Sequence, residues 1–309
     1  MSCGFVFPGQ GSQTVGMLRD FIDEPVVRKC FDTADAAIGI GVRKLVLDGP
    51  EADLNRTELT QPALLTASVA LWRLWQDRGG ASATVLAGHS LGEYSALVAA
   101  DAIDFADAVR LVHLRGRLMQ SAVPVGAGAM AAILGLDEVE VAKCCAAVDG
   151  IVAPANINAP GQVVIAGATA AVDAAIEGCS AAGAKRAIKL AVSVPSHCPL
   201  MAPIAAEFGA ALDATRVVAP RIPVVQNVDA ESSGAADRIR SNLVAQLSSP
   251  VRWTQCVEAM VRRGATTLLE CGPGNVLAAL IKRIDRSVKV HTIGVRAAFD
   301  AALVEVGRG

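Results

Sequence analysis

Aromatic residues are scarce: seven Phe, three Trp and one Tyr make up 4% of the 309 positions, although 52% are hydrophobic. Ala, Val, Leu and Gly carry that apolar content. Small packable residues of this kind suit alternating strands and helices and argue against disorder. No block of like charge occurs, and 28 Lys and Arg stand against 30 Asp and Glu. Neither a nucleic-acid footprint nor a solvating tail is expected. The N-terminal stretch lacks the basic segment and long apolar run of a signal peptide, and no apolar run is long enough for a membrane span. The eight cysteines include no C-x-x-C pair and mostly sit in apolar context, which predicts reduced, buried thiols in a cytoplasmic protein. Cys198 is expected to be a pocket wall rather than a nucleophile.

The order of elements predicts an α/β protein. Residues 4–7 read as a buried strand ended by Pro8 and a Gly-rich turn, and 83–87 as a second strand. A helix opens with Gln61-Pro62 and runs over 61–78. Another starts directly after Ser90, with two further helical stretches to about residue 122. Strand, tight turn and helix in succession suggest a parallel sheet. The middle of the chain changes pattern: a strand at 128–136, a helix at 137–148 capped by Asp137, strands near 151–156 and 162–167, a helix at 169–182 and a strand at 184–191. This is the β-α-β-β-α-β order of a ferredoxin-like unit. The expectation is a large α/β-hydrolase-like subdomain, 1–123 and 196–309, with a small ferredoxin-like subdomain, 124–195, inserted into it. The large part resumes with a helix at 200–213, a strand at 222–227, helices near 236–247 and 254–263, a strand at 266–270, a helix from 274 and a strand at 288–294.

Gly88-His89-Ser90-Leu91-Gly92 matches G-x-S-x-G between an apolar strand and an amphipathic helix. Such a bend lifts the serine hydroxyl above the sheet edge, and its glycines remove side chains that would collide there. Ser90 would then sit at a helix N-terminus, with the Leu91 N–H a natural donor to an oxyanion. A structural Gly-rich β–α turn is the alternative.

With histidine at only 89, 113, 197 and 291, the candidates for a base are few. His89 adjoins the nucleophile, so its side chain should diverge and pack beside the bend. His113 lies on a helix, where a surface or packed role is commoner. His197 sits in a loop pinned by Pro195 and Pro199, a setting where catalytic groups gather. His291 lies in a terminal strand. Two arrangements stay open: Ser90 with His197, or the hydrolase order of Ser90, Asp229 and His291.

The chain resembles the malonyl-CoA:acyl carrier protein transacylase family of bacterial fatty-acid synthesis over nearly its whole length. The resemblance rests on Phe5-Val6-Phe7-Pro8-Gly9-Gln10-Gly11-Ser12-Gln13, Gly88-His89-Ser90-Leu91-Gly92-Glu93-Tyr94, and Leu114-Arg115-Gly116-Arg117-Leu118-Met119-Gln120. It continues in Asn156-Ile157-Asn158-Ala159-Pro160-Gly161-Gln162, Val194-Pro195-Ser196-His197, Gln246-Leu247-Ser248-Ser249-Pro250-Val251 and Glu270-Cys271-Gly272-Pro273-Gly274.

The resemblance implies Ser90 as nucleophile and His197 as base. Gln246 would orient the imidazole through its side-chain or main-chain carbonyl. The Gln10 and Leu91 amides would form the oxyanion hole, and Arg115, otherwise a solvated helix arginine, would clamp the malonyl carboxylate. Met119 and Asn156 would be pocket walls. It further implies malonyl-CoA as substrate with no metal or redox cofactor, and acyl carrier protein as partner; nothing in the sequence demands more than a monomer. Lys185, Arg186 and Lys189, with Lys282, Arg283 and Arg286, are candidates for docking the acidic carrier, or are ordinary solvated charges. The chain departs from the pattern at Asn275, often Lys, at Ile157, more usually Phe, and at Asp101, often Gly. Rival expectations are a malonate decarboxylase or polyketide acyl-transfer subunit, a serine hydrolase, and a binding module that kept the fold.

Overall fold

The computed structural model describes residues 2–192 and 194–307. Its strands are β1 (Cys3–Phe7), β2 (Ala83–Gly88), β3 (Gly128–Leu134), β4 (Val152–Ala159), β5 (Gln162–Ala168), β6 (Arg186–Lys189), β7 (Val224–Val225), β8 (Thr267–Glu270) and β9 (Lys289–Thr292). The helices are α1 (Pro25–Ile38), α2 (Val42–Asp48), α3 (Glu51–Leu54), α4 (Thr57–Asp77), α5 (Gly92–Ala99), α6 (Phe105–Ser121) and α7 (Glu138–Ala146). They continue with α8 (Thr169–Ala181), α9 (Ala205–Ala214), α10 (Ala236–Ala245), α11 (Trp253–Arg262), α12 (Val276–Ile284) and α13 (Arg296–Val306).

Five strands form a parallel sheet in the order β7-β2-β1-β8-β9. β1 lies at its centre and is buried at every position, as an apolar run covered on both faces must be. On one face Phe5 meets Trp72 of α4 edge-on, with ring centroids 4.9 Å apart. The remaining strands form an antiparallel sheet in the order β4-β5-β3-β6, with α7 and α8 supplying apolar residues to its core. Its connectivity is the ferredoxin-like one. The Asp137 side chain accepts from the Glu140 N–H at 2.9 Å and caps α7 as expected.

The fold is therefore α/β with a parallel sheet and a separate small antiparallel sheet, but several elements differ from the sequence expectations. α4 starts at Thr57, four residues before Gln61, and keeps Pro62 inside it. A proline there cannot donate to the Glu58 carbonyl one turn back, and His113 Nδ1 takes that carbonyl instead at 2.9 Å. This gives His113 its packed role. Only one helix, α6, follows α5 before residue 122, not two. The helix expected over 200–213 begins as a 3-10 turn, Pro199–Ile204, because Pro203 has no N–H to donate to the Pro199 carbonyl one turn back. The strand expected at 222–227 shrinks to β7, an edge strand whose two residues pair with Leu86 and Ala87 of β2. Helices α1 to α3 and α13 carried no sequence expectation. Asp101 adopts a left-handed conformation, φ 56°, which is the physical reason a glycine suits that position.

Candidate active site

The bend at Ser90 is as tight as its glycines imply. A Cβ on Gly88 would lie 1.9 Å from the Gly92 carbonyl carbon, and one on Gly92 would lie 2.0 Å from the Phe7 oxygen. The same closeness lets the His89 N–H donate to Phe7 O at 3.0 Å, tying the bend to the end of β1. Ser90 has φ 53°, a strained conformation for a residue with a Cβ. Its N–H is held by Asn227 Oδ1 at 2.7 Å, and Asn227 Nδ2 donates to Gly88 O at 2.7 Å. The His89 ring turns away, with Nε2 2.9 Å from Asn158 Oδ1 and the ring 5.5 Å from that of Trp253.

His197 meets Ser90 directly: Nε2 lies 2.7 Å from Oγ. Its other ring nitrogen, Nδ1, is 2.7 Å from the main-chain carbonyl of Gln246. A carbonyl only accepts, so Nδ1 carries the proton and Nε2 is free to receive one from the serine. Burial and then the Arg115 charge pull the His197 pKa down to about 3, so the ring is neutral around pH 7. Of the two Gln246 carbonyls, only the main-chain one meets His197; the side-chain one accepts from Arg115 Nη2 at 3.0 Å.

Arg115 is 1% exposed. Nη1 donates to Gln61 Oε1 at 2.9 Å, and Nη2 donates to Ser90 Oγ at 3.2 Å. Its Nε has no partner, and no carboxylate forms an ion pair with it among the described residues. Burial lowers its pKa, with Tyr94 and Glu93 opposing. A buried cation without an anion is costly, and this one lies beside the Ser90 hydroxyl.

Ser90, His197 and Arg115 line a cleft of about 140 Å³ together with Gln10, Leu91, Met119 and Asn156. Neither the Gln10 nor the Leu91 N–H has an acceptor among the described residues. Gln246 lies fully buried behind the cleft. Two expectations fail. His291 Nδ1 faces Glu305 at 3.8 Å on β9, and Asp229 pairs with Arg238 at 2.9 Å. Neither lines the cleft, so the hydrolase arrangement does not assemble. Cys198 is not a cleft wall: it sits behind Met130 in a small apolar cluster, its Sγ donates to Pro195 O at 3.1 Å, and burial pushes its thiol up to about 11.

Sequence reasoning missed Gln61, which holds Arg115 and lies 3.5 Å from the Met119 sulfur through Nε2, and Asn227, which holds the bend. Gln61 had a signal, a polar residue amid an apolar helix; Asn227 had none. Among the described residues no group of three His, Cys, Asp or Glu could hold a metal ion, and no helix is long and apolar enough to cross a membrane.

The family model of the acyl transferase domain matches residues 4–299. The malonyl CoA-acyl carrier protein transacylase of Escherichia coli (strain K12) is 54% identical over 302 residues, 97% of this chain and 98% of that protein. The crystal structure of an acyl carrier protein S-malonyltransferase from Vibrio cholerae is 52% identical, with TM-score 0.95 over 97% of this chain and 99% of that one. A malonyl-transacylase solved in complex with a type II polyketide synthase acyl-carrier protein is 51% identical, with TM-score 0.97 over 98% of this chain and 99% of that one. The chain belongs to the acyl transferase domain family and, within it, to the malonyl-CoA:acyl carrier protein transacylases.

Proposed function

We propose that this protein moves malonyl from coenzyme A to the phosphopantetheine thiol of an acyl carrier protein by a ping-pong reaction through an ester on Ser90, in the cytoplasm, feeding fatty-acid synthesis. The observation that carries the proposal is the single hydroxyl at Ser90 lying 2.7 Å from a neutral imidazole and 3.2 Å from a buried guanidinium. Arg115 receives the malonyl carboxylate, for which a planar fork is suited. His197 Nε2 takes the Ser90 proton as Oγ attacks the thioester carbon. The oxyanion rests on the Gln10 and Leu91 amides. As the C–S bond breaks, His197 returns the proton to the departing thiolate. The carrier thiol then gives its proton to His197, attacks the ester, and leaves Ser90 reprotonated. Gln246 keeps the imidazole in the required tautomer throughout, and Met119 and Asn156 wall the acyl site.

Charge compensation favours productive binding. After burial, the Arg115 charge is the largest cause that depresses His197. A malonyl carboxylate on Arg115 offsets it and strengthens the base when substrate is present. Apolar Met119, Met130, Leu190 and Val192 in the cleft wall help keep water from the ester, which favours transfer over hydrolysis. No metal or redox cofactor enters these steps.

The monomer divides into a large part, 1–123 and 196–309, and the inserted unit 124–195. Of the basic residues considered for the carrier, Lys189 is paired with Asp173 and Arg283 contacts Gln162 and Pro160. Lys185, Arg186, Lys282 and Arg286 are the better docking candidates, and reversing their charge should raise the KM for the carrier alone. A second reading, service to a polyketide carrier, draws on the 51% identical relative solved with such a partner; turnover with the two carriers side by side separates the readings. Intact-mass analysis after mixing with malonyl-CoA tests the core: an adduct on Ser90 is expected, absent in Ser90→Ala and weakened in Arg115→Ala. An adduct on another residue, or normal transfer by Ser90→Ala, overturns it.

A further inference from the structure

Beneath the bend lies a carboxyl group that none of these steps uses. Glu93, in the first turn of α5, is 1% exposed. Its Oε2 accepts from the Asn227 N–H and from Gln246 Nε2, both at 2.8 Å, and its Oε1 accepts from Gln226 Nε2 at 3.1 Å. All three partners are donors, so the surroundings suit a group that only accepts, an ionised carboxylate. No Lys or Arg forms an ion pair with it among the described residues, and burying a carboxylate without a cation is expensive for a fold.

Its partners are the residues that hold the reacting groups. Asn227 fixes Ser90 N and Gly88 O. Gln246 gives its main-chain carbonyl to His197, and its side-chain Nε2 also reaches Ser90 O at 3.2 Å. A primary amide can face either way. Because Gln246 Nε2 faces Glu93, Gln246 Oε1 faces Arg115. Reversing the amide would set its NH2 against the guanidinium, donor against donor.

We propose that Glu93 is a positioning residue of the transfer reaction: its carboxylate sets the sense of the Gln246 amide and clamps Asn227, and so holds His197, Ser90 and Arg115 in register. This rests on the transfer reading above. The charged and titratable groups around Glu93 are Arg115 on α6, Asp229 after β7, Cys256 on α11 and its neighbour Tyr94. Burial, opposed by the three hydrogen bonds and aided by Asp229, raises the Glu93 pKa to about 7. As pH falls through that value the carboxyl gains a proton it has no acceptor for, and the amide of Gln246 loses its anchor.

The test compares wild type, Glu93→Gln and Glu93→Asp by steady-state transfer across neutral pH, each normalised to the fraction that acylates in a single turnover. Glu93→Gln keeps the shape but places an NH2 among donors. Its kcat should fall about tenfold or more with the KM for malonyl-CoA within about twofold, since misplaced groups cost rate more than ground-state binding. The wild type should lose kcat below pH 7 with a midpoint that Glu93→Gln lacks, and Glu93→Asp should recover part of the loss. A Glu93→Gln protein with normal kcat and an unchanged acid limb, or one that differs only in melting temperature, overturns the proposal. Should Glu93→Gln fail to fold, Glu93→Asp decides: an acid limb that does not move refutes the assignment. Ser90→Ala runs alongside. If it transfers normally the transfer reading fails; if it is inert while Glu93→Gln is normal, only the role of Glu93 fails.

Discussion

The two sheets contribute to the cleft in different ways. From the parallel side, Ser90 and His197 are each fixed through backbone and side chain, and the bend carrying Ser90 is pressed against the end of β1. The antiparallel side offers mostly surface: Met130, Leu190 and Val192, with Asn156 as its polar residue, whose Oδ1 is buried without a partner. Yet this side is not a loose cover. Ile157 N–H donates to Val251 O and Val251 N–H to Ala155 O, both at 2.9 Å, and Asn158 holds His89. The contrast separates two demands on one cleft. The parallel sheet holds atoms that must meet within hydrogen-bond distance, while the antiparallel sheet shapes the space the acyl group enters.

A matched pair of glycines probes that contrast with the largest effect. A Cβ on Gly92 would lie 2.0 Å from Phe7 O, and one on Gly167 in β5 would lie 2.0 Å from Ile151 O. Both alanine substitutions should cost roughly 3 kcal/mol of stability, the upper range for overpacking, measured by urea denaturation. Only Gly92→Ala should abolish acylation per folded molecule, because only it displaces Ser90. Equal activity losses would mean that the antiparallel sheet also positions reacting atoms. Next in size is Arg115→Lys. A single ammonium cannot reach Gln61, Gln246 and a bound carboxylate together. A lost charge-assisted bond is worth about 1.5–3 kcal/mol, so kcat/KM for malonyl-CoA should fall about 10–100-fold, with little change for an uncharged acyl thioester. Equal losses on both substrates would count against a carboxylate clamp.

Titration sharpens the same comparison more gently. His197 has a folded pKa of about 3 against 6.5 for the free side chain. Between these values the unfolded chain binds a proton that the native protein refuses. Stability is therefore lost as pH falls from 6.5 toward 3, by up to about 1.4 kcal/mol per pH unit, and this contribution is constant above 6.5. His197→Ala should show a shallower acid-side decline in denaturation midpoint than wild type. Parallel curves would show that the buried imidazole is not what makes the native state acid-sensitive.

How much of this was legible beforehand depends on the range of the interaction. The bend at Ser90 was readable because strand, glycines and helix are contiguous, and the ferredoxin-like order because its elements alternate regularly. The loop of His197 carried a local signal, two flanking prolines, but its choice over His291 needed the resemblance to a family. Asn227 and Glu93 act on partners more than 130 residues away, and no local pattern encodes such a meeting. α4 was misjudged at its start because proline usually marks a first turn. Here His113, from another helix, satisfies the carbonyl that Pro62 leaves free, so the helix runs through. Cys198 was placed one layer too far forward: sequence proximity to His197 says nothing about which way a neighbouring side chain points.

The smallest expected effect falls on the antiparallel wall. Asn156 is 9% exposed, its Oδ1 has no donor, and it stands at a β-bulge of β4 beside Val251. An unsatisfied buried polar atom destabilises a fold by about 1–3 kcal/mol, whereas truncation to Ala leaves a void that opens onto the cleft. These terms oppose each other, so Asn156→Ala should stay within about 1 kcal/mol of wild type in stability, on the scale of ordinary single substitutions. If the unpaired oxygen accepts from an amide N–H of the incoming pantetheine arm, KM for malonyl-CoA should rise a few-fold while kcat holds, the signature of lost uniform binding. A fall in kcat with unchanged KM would move Asn156 to the positioning side of the cleft. The division between a sheet that holds reacting atoms and a sheet that shapes the space would then fail at its most exacting point.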